Sequence, residues 1–129
     1  MTTGELGTTV TGIRTVAVPV RDQDRALAFW TGPLGMTTRL DVPLGGGRWI
    51  EVAPDGAQTS VALVAAGEDE VGRDTGIRLT TSDAASAHAA LAEAGADVDP
   101  ELLRWPGVPP MFVLRDPDGN RLTVVEEAP

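Results

Sequence analysis

The sequence predicts an α+β fold made of two similar halves, and three observations lead to this prediction. Two stretches each start with alternating apolar residues and continue into an Ala-rich helix that ends near a glycine. Two later stretches each read as strand, Pro-Asp-Gly turn and strand, which is the pattern of a hairpin. Both pairs repeat at an interval of about 61 residues. Each half is therefore expected to contain a strand, a helix and two or three antiparallel strands.

The first half begins with "IRTVAVPVRDQDRALAFWTGPLGM", residues 13–36. Val16, Val18 and Val20 alternate with other residues, as in a strand that buries one face. The acidic stretch that starts at Asp22 is typical of a helix start. We expect the three valines to pack under apolar residues of this helix, namely Ala26, Phe29 and Leu34.

The second half begins with "GIRLTTSDAASAHAALAEAGADV", residues 76–98, in which Asp83 takes the place of Asp22. Ile77 and Leu79 are expected to pack under the second helix, against Ala87, Ala90 and Leu91. The opposite face of each strand carries small or polar residues. Two sheets that face each other would enclose a cleft lined by those residues, which are Thr15, Ala17, Gly76, Arg78 and Thr80.

The hairpins are "RWIEVAPDGAQTSVALV", residues 48–64, and "MFVLRDPDGNRLTVVE", residues 111–126. A polar, Gly-containing stretch separates the two halves. A chain of this length predicts a single domain. We expect that domain to cover residues 1–129, with one module at about 12–66, a linker at about 67–74 and a second module at about 75–127.

Composition excludes several classes of protein. The chain has no Cys, which rules out disulfides and Cys-based metal sites, and its formal net charge of −9 argues against a nucleic-acid partner. No apolar run is long enough to span a bilayer. Residues 1–12 lack the basic and apolar parts of a signal peptide and are expected to form a loose arm. We expect a soluble, cytoplasmic protein with no nucleic-acid or membrane partner.

The segments "VPVRDQDRALAFWTGPLGM", "TTSDAASAHAALAEAGADV" and "RDPDGNRLTVVE" resemble the vicinal oxygen chelate superfamily, which includes glyoxalase, bleomycin-resistance proteins and extradiol dioxygenases. The resemblance covers residues 12–127. It implies two βαβββ modules that form a cup-shaped half-barrel. Members are commonly dimers and some exchange modules between chains, so the resemblance implies a homodimer and leaves module exchange open.

Metal-dependent members of that superfamily carry His, Gln or Glu at four positions of the cup. The corresponding residues here are Thr15, Ala62, Gly76 and Thr123, and none supplies a carboxylate or an imidazole. The resemblance therefore implies a branch without metal or other cofactor, similar to antibiotic-binding resistance proteins. His88, the single histidine, falls in the second helix and is expected to be partly exposed.

Aromatic residues are candidates for contact with a ligand, because flat rings at the mouth of a cup suit a planar molecule. Trp49 and Phe112 fall on strands that flank the expected cup, and Trp105 lies in a Pro-rich loop. Trp30 follows Phe29 in the first helix. For Trp30, Trp49 and Trp105 the alternative is packing in the core or between subunits.

Arg78 alternates with apolar residues and is expected to face the cup, where a guanidinium needs an acceptor. Glu51 is one candidate, and a carboxylate, phenolate or quinone oxygen of a ligand is the other. Met111 would add an adaptable apolar wall. Glu51 could also act as a general base if the cup raises its pKa.

These features predict a non-catalytic protein that binds and sequesters a hydrophobic, partly aromatic small molecule, such as an antibiotic or another natural product. No nucleophile with an attendant base is found, so no catalytic residue is assigned. The main alternative is a metal-independent isomerase, cyclase or lyase in which Glu51 or Arg78 polarises a carbonyl. A metalloenzyme with a displaced site at Glu51 and a protein-interaction module are the remaining alternatives.

Overall fold

A computed structural model describes residue 7 and residues 9–128. Most of the predicted N-terminal arm, residues 1–6 and 8, lies outside the described residues, as does residue 129. The first half contains β1 (Thr15–Val20), α1 (Gln23–Thr31), β2 (Thr37–Leu44), β3 (Gly47–Ala53) and β4 (Ser60–Ala65). After a short 3-10 turn, the second half contains β5 (Asp74–Thr81), α2 (Ala84–Glu93), β6 (Asp97–Val98), β7 (Leu103–Trp105), β8 (Val108–Arg115) and β9 (Arg121–Glu126).

Each half forms its own mixed sheet, with strand order β1-β4-β3-β2 in the first and β5-β9-β8-β6 in the second. In both sheets the first strand runs parallel to the last, and the remaining pairs are antiparallel. Both halves are therefore βαβββ modules, which confirms the predicted fold class. We call them the N-module (residues 15–65) and the C-module (residues 74–126).

The C-module differs from the N-module in its second strand. The long β2 of the N-module is replaced by two short strands, β6 and β7, and both pair with β8. Pro100 lies in the segment between them, and proline has no N–H to contribute to a ladder. The interruption therefore coincides with Pro100.

Alternate residues of the strands lie on opposite sides of each sheet, as the sequence pattern predicts. We call the side that carries the helix the helix side and the other the outer face. In β1, Val18 and Val20 are fully buried on the helix side. In β9, Leu122 and Val124 are buried while Thr123 between them points to the outer face and is half-buried.

Both helices begin where the sequence predicts. The side chain of Asp22 caps α1 by accepting a hydrogen bond from the backbone N–H of Arg25 (3.1 Å), and Asp83 caps α2 in the same way from Ser86 (3.0 Å). No helix within residues 9–128 combines the length and apolar character needed to cross a lipid bilayer.

The helix sides of both sheets contribute to one hydrophobic core. Its largest fully buried side chains are Trp30, Ile50, Leu63, Phe112, Leu114 and Leu122. Full burial of an aliphatic or aromatic side chain contributes roughly 1.5–3 kcal/mol. The two modules are thus held together partly by a shared apolar interior.

The turn between β8 and β9 also joins the modules, mainly through Asn120. This side chain is fully buried, and its amide nitrogen donates to the Pro19 carbonyl (2.7 Å) at the end of β1 and to Asp116 Oδ2 (3.0 Å). Its amide oxygen accepts from the backbone N–H of Gly72 (2.9 Å), just before β5. One amide therefore ties together the end of the first strand of the N-module and the starts of two strands of the C-module.

Two arginines add to this junction from the N-module. Arg21 contacts the buried carboxylate of Asp118 through its backbone N–H (3.2 Å) and its Nε (2.9 Å), and it also pairs with Glu68 (2.9 Å). Arg25 donates to the Pro117 carbonyl (2.7 Å). The start of α1 is therefore attached to the β8–β9 turn.

Substitution of Asn120 by Ala is expected to destabilise the protein by about 3 kcal/mol, because the Pro19 carbonyl and the Gly72 N–H would be left without partners in a buried place. Urea unfolding followed by circular dichroism measures this loss. Arg121→Ala, an exposed neighbour, is the control and should change the unfolding free energy by less than about 0.5 kcal/mol. Equal effects of the two substitutions would contradict the proposed role of Asn120.

Candidate functional site

Four of the predicted ligand-contacting residues lie together on the outer face of the N-module. The β1–β4 register pairs Thr15 with Ser60, and the β3–β4 register pairs Glu51 with Ala62. Trp49 precedes Glu51 by two residues in β3 and so projects from the same face. A small depression of about 150 Å³ lies beside Glu51 and Ser60.

Glu51 is nearly buried, with 3% of its surface exposed, and its carboxylate is held by three groups. It accepts from Trp49 Nε1 (2.8 Å) and from the Ser60 hydroxyl (2.8 Å), and it lies 3.5 Å from a guanidinium nitrogen of Arg14. The indole hydrogen bond is the main cause that lowers the pKa of Glu51, and Ser60 and Arg14 add to it against the opposing effect of burial. The carboxylate is therefore ionised at neutral pH and is a weak base.

Three more predicted residues lie on the outer face of the C-module. Arg78 in β5 pairs with Thr123 in β9, and Met111 in β8 pairs with Val125. The Arg78 guanidinium donates to the Gly76 carbonyl (3.2 Å) and, among the described residues, to no carboxylate. The candidate Arg78–Glu51 pair is not formed, and the guanidinium that lies next to Glu51 is that of Arg14.

A cavity of about 890 Å³ lies at the junction of the modules. Its N-module wall consists of helix-side residues, the turn after α1 and the turn between β3 and β4, and its C-module wall consists of β5, α2 and Val124 of β9. All residues from Thr75 to Thr81 border it, because β5 is an edge strand. Its apolar lining includes Val16, Leu34, Met36, Val52, Ile77, Leu79, Leu91 and Val124. The volume is within the range of about 300–1,000 Å³ that is usual for small-molecule sites.

A difference between the two Pro-Asp-Gly turns accounts for the position of this cavity. In the C-module the turn continues with Asn120, whose amide reaches the end of β1. In the N-module the residue after Pro-Asp-Gly is Ala57, which has no amide to donate. Ala57 and Thr80, near the end of β5, both line the cavity. The β8–β9 turn contacts the N-module through Asn120, and the β3–β4 turn forms part of the cavity wall through Ala57.

The sequence pattern of the Glyoxalase/Bleomycin resistance protein/Dioxygenase superfamily matches residues 12–124. The chain belongs to this superfamily. The match covers both modules except for the last residues of β9. The fold and the sequence motifs therefore lead to the same family.

Several solved members of the superfamily are similar to this chain. The crystal structure of TnmS3, an antibiotic binding protein from Streptomyces sp. CB03234, is 32% identical, with a TM-score of 0.83 over 94% of this chain and 99% of TnmS3. A superfamily member from Sphaerobacter thermophilus DSM 20745 is 31% identical, with a TM-score of 0.84 over 93% of this chain and 100% of that one.

A sequence relative is YetH of Bacillus subtilis (strain 168), an uncharacterised protein. It is 46% identical over 52 residues, which cover 40% of this chain and 43% of YetH. The chain thus spans less than half the length of this relative.

The four superfamily metal positions do not fit a divalent cation in this chain. Thr15 donates its hydroxyl hydrogen to the Ser60 carbonyl (3.2 Å), and Ala62 and Gly76 have no side-chain donor atoms. Thr123 offers a single neutral hydroxyl. Within the described part of the chain, no three His, Cys, Asp or Glu side chains form a group that could hold a metal.

Three residues expected to contact a ligand are corrected by the structure. Trp30, Ala62 and Phe112 are fully buried, so none of them has surface available to a ligand. Phe112 lies on the helix side of β8, where it makes an edge contact with His88 (ring centroids 5.1 Å apart). Phe112 lies between Met111 and Val113 in β8, so its side chain projects from the face opposite to theirs.

Trp105 is 52% exposed at the tip of the β7–β8 hairpin and does not line the junction cavity. Of the ten predicted ligand-contacting residues, Arg78 alone borders that cavity. Among the other lining residues, Gly76 and Thr80 were expected to line a cleft, as they do. The residues expected to pack between strands and helices instead are Val16, Leu34, Ile77, Leu79, Ala87, Ala90 and Leu91. The composition of α2 is the sequence feature that could have predicted the cavity. Side chains as small as those of Ala87 and Ala90 leave space that larger residues would fill.

Replacement of Glu51 by Gln is expected to lower stability at neutral pH, because it removes a carboxylate whose folded-state pKa is lowered. A lowered pKa stabilises the fold above the ordinary value near 4.5, and this contribution disappears as the pH falls through the folded-state value. The melting-temperature difference between wild type and Glu51→Gln should therefore be constant from pH 7 to about pH 5 and shrink at lower pH. Glu93→Gln, on the exposed end of α2, is the control; a Glu51→Gln difference that grows on acidification would contradict the assignment.

Proposed function

We propose that this protein binds and sequesters a hydrophobic, partly aromatic small molecule, of the antibiotic or natural-product type, without transforming it. The observation that carries the proposal is the loss of every metal-holding side chain at Thr15, Ala62, Gly76 and Thr123 in a superfamily fold that is otherwise complete. The likeness to TnmS3, described as an antibiotic binding protein, supports it. Fold alone does not define function, so the proposal rests on the site.

The junction cavity supports this proposal by its size and composition. A volume of about 890 Å³ accommodates a molecule of drug size, and most of the lining is aliphatic. Burial of apolar ligand surface in such a space is favourable by about 25 cal/mol per Å² before the costs of association are subtracted. Affinity for an apolar ligand therefore requires no metal and no covalent step.

The alternative of a metal-independent isomerase, cyclase or lyase receives less support from the geometry. A general base works best when its pKa is near the operating pH, whereas the pKa of Glu51 is lowered by Trp49, Ser60 and Arg14. The carboxylate is also occupied by these three partners. Glu51 is better suited to fixing the position of Trp49 than to taking a proton from a substrate.

The proposal includes a homodimer. Exposed apolar side chains lie on the edge strand β2 and at the β7–β8 hairpin, where Leu44 is 60% exposed and Val42 and Val108 are each 41% exposed. Exposed apolar patches commonly mark interfaces. Light scattering of the purified protein measures the assembly directly, and a monomer at micromolar concentration would remove this part of the proposal.

Titration calorimetry against a panel of polycyclic aromatic antibiotics, with the protein in excess EDTA, tests the proposed function. We expect at least one compound to bind with a dissociation constant in the micromolar range or below, and mass spectrometry should recover it chemically unchanged. Quenching of tryptophan emission that is lost in Trp49→Phe would place the compound on the outer face of the N-module. Binding that requires added metal, conversion of the compound, or no binding across the panel would overturn the proposal.

A further inference from the structure

The junction cavity has an unusual charge for this chain. The protein carries 19 acidic and 10 basic residues, yet no acidic residue within the described part of the chain lines the cavity. Arg78 is the one charged residue among the described residues that border it. An anion is therefore repelled by the protein as a whole but meets a positive group at this place.

Arg78 has spare hydrogen-bonding capacity. A guanidinium has five N–H donors, and the contact with Gly76, two residues away in the same strand, uses one of them. Arg21, Arg48 and Arg115, by contrast, each pair with two carboxylates. The carboxylate expected for Arg78, that of Glu51, is occupied by Arg14.

The junction cavity has polar residues at its rim, near Arg78, and apolar residues in its interior. Gln58 and Thr80 border the cavity and are exposed, and no side-chain hydrogen bond within the described chain occupies either group. The interior is aliphatic, with Val16 and Val61 on one side and Leu79 and Leu91 on the other. A ligand that fits this pattern has an apolar body and an acceptor group at one end.

We propose that the junction cavity binds an apolar, flat molecule through an acidic oxygen, a carboxylate or a phenolate, that accepts hydrogen bonds from Arg78. The inference rests on the proposed function and specifies the chemical class of the ligand and its place. Arginine forms paired hydrogen bonds with a planar carboxylate, and such charge-assisted bonds are about twice as strong as neutral ones. The acidic group orients the ligand, and the aliphatic walls hold its body.

The first test compares an acid with its neutral analogue, using pyrene-1-carboxylic acid and pyrene-1-carboxamide as fluorescent probes in anisotropy titrations. Wild type is expected to bind the acid at least tenfold more tightly than the amide. Arg78→Gln should remove this preference, weakening the acid about tenfold and changing the amide less than twofold. Arg121→Gln, which removes an arginine from the neighbouring strand outside the cavity, is the matched control and should leave both affinities unchanged.

The second test locates the probe. Ala90 borders the cavity and Ala89, the preceding residue of α2, does not, although both are exposed. Ala90→Phe should fill the cavity mouth and weaken acid and amide alike by tenfold or more, whereas Ala89→Phe should weaken neither. Circular dichroism and melting temperatures of all four variants establish that they fold.

The outcomes separate this inference from the proposed function. A retained acid preference in Arg78→Gln, equal binding of acid and amide to wild type, or failure of both probes to bind would overturn the inferred ligand class. Binding that persists in Ala90→Phe would overturn the inferred location. The proposed function is decided independently by the antibiotic panel, since a neutral antibiotic that binds in EDTA and is recovered unchanged sustains sequestration even when the acidic probe fails.

Discussion

The buried amide of Asn120 is the interaction on which the arrangement of this molecule depends. It forms hydrogen bonds with Pro19 at the end of β1, with Asp116 just after β8 and with Gly72 just before β5. An interior amide with satisfied donors and acceptor is stabilising, and the same amide without partners would be costly. Its position therefore determines how β1 of the N-module lies relative to β5 and β9 of the C-module.

The two halves use the same turn in different ways, and this difference produces the cavity. Both modules have a Pro-Asp-Gly hairpin, but Asn120 and Asp116 in one correspond to Ala57 and Ala53 in the other. The first pair forms the contact between modules, and the second pair cannot form an equivalent one. The two modules are thus in contact at the β8–β9 turn, whereas at the β3–β4 turn they are separated by the junction cavity, which Ala57 lines.

The two charged groups predicted to contact a ligand, Glu51 and Arg78, lie in different surroundings. On the outer face of the N-module, Glu51 is fully engaged by Trp49, Ser60 and Arg14, so this arrangement is a structural network around a single ionised carboxylate. On the C-module, Arg78 keeps donors free beside an aliphatic cavity. Recognition of a ligand is better served by the second arrangement, because unused donors next to apolar surface provide both orientation and affinity.

The sequence by itself determined two halves of a strand, a helix and antiparallel strands, with helix starts at Asp22 and Asp83, because periodicity and capping are local properties. The four positions without metal ligands came from the resemblance to the superfamily. The tertiary structure decided which faces meet. Phe112 lies on the helix side of β8 and is buried in the core, and the arginine beside Glu51 is Arg14 and not the candidate Arg78. The cavity depends on how the two modules are joined and on space left by Ala87 and Ala90, and distances between segments far apart in the chain are not encoded in any local pattern.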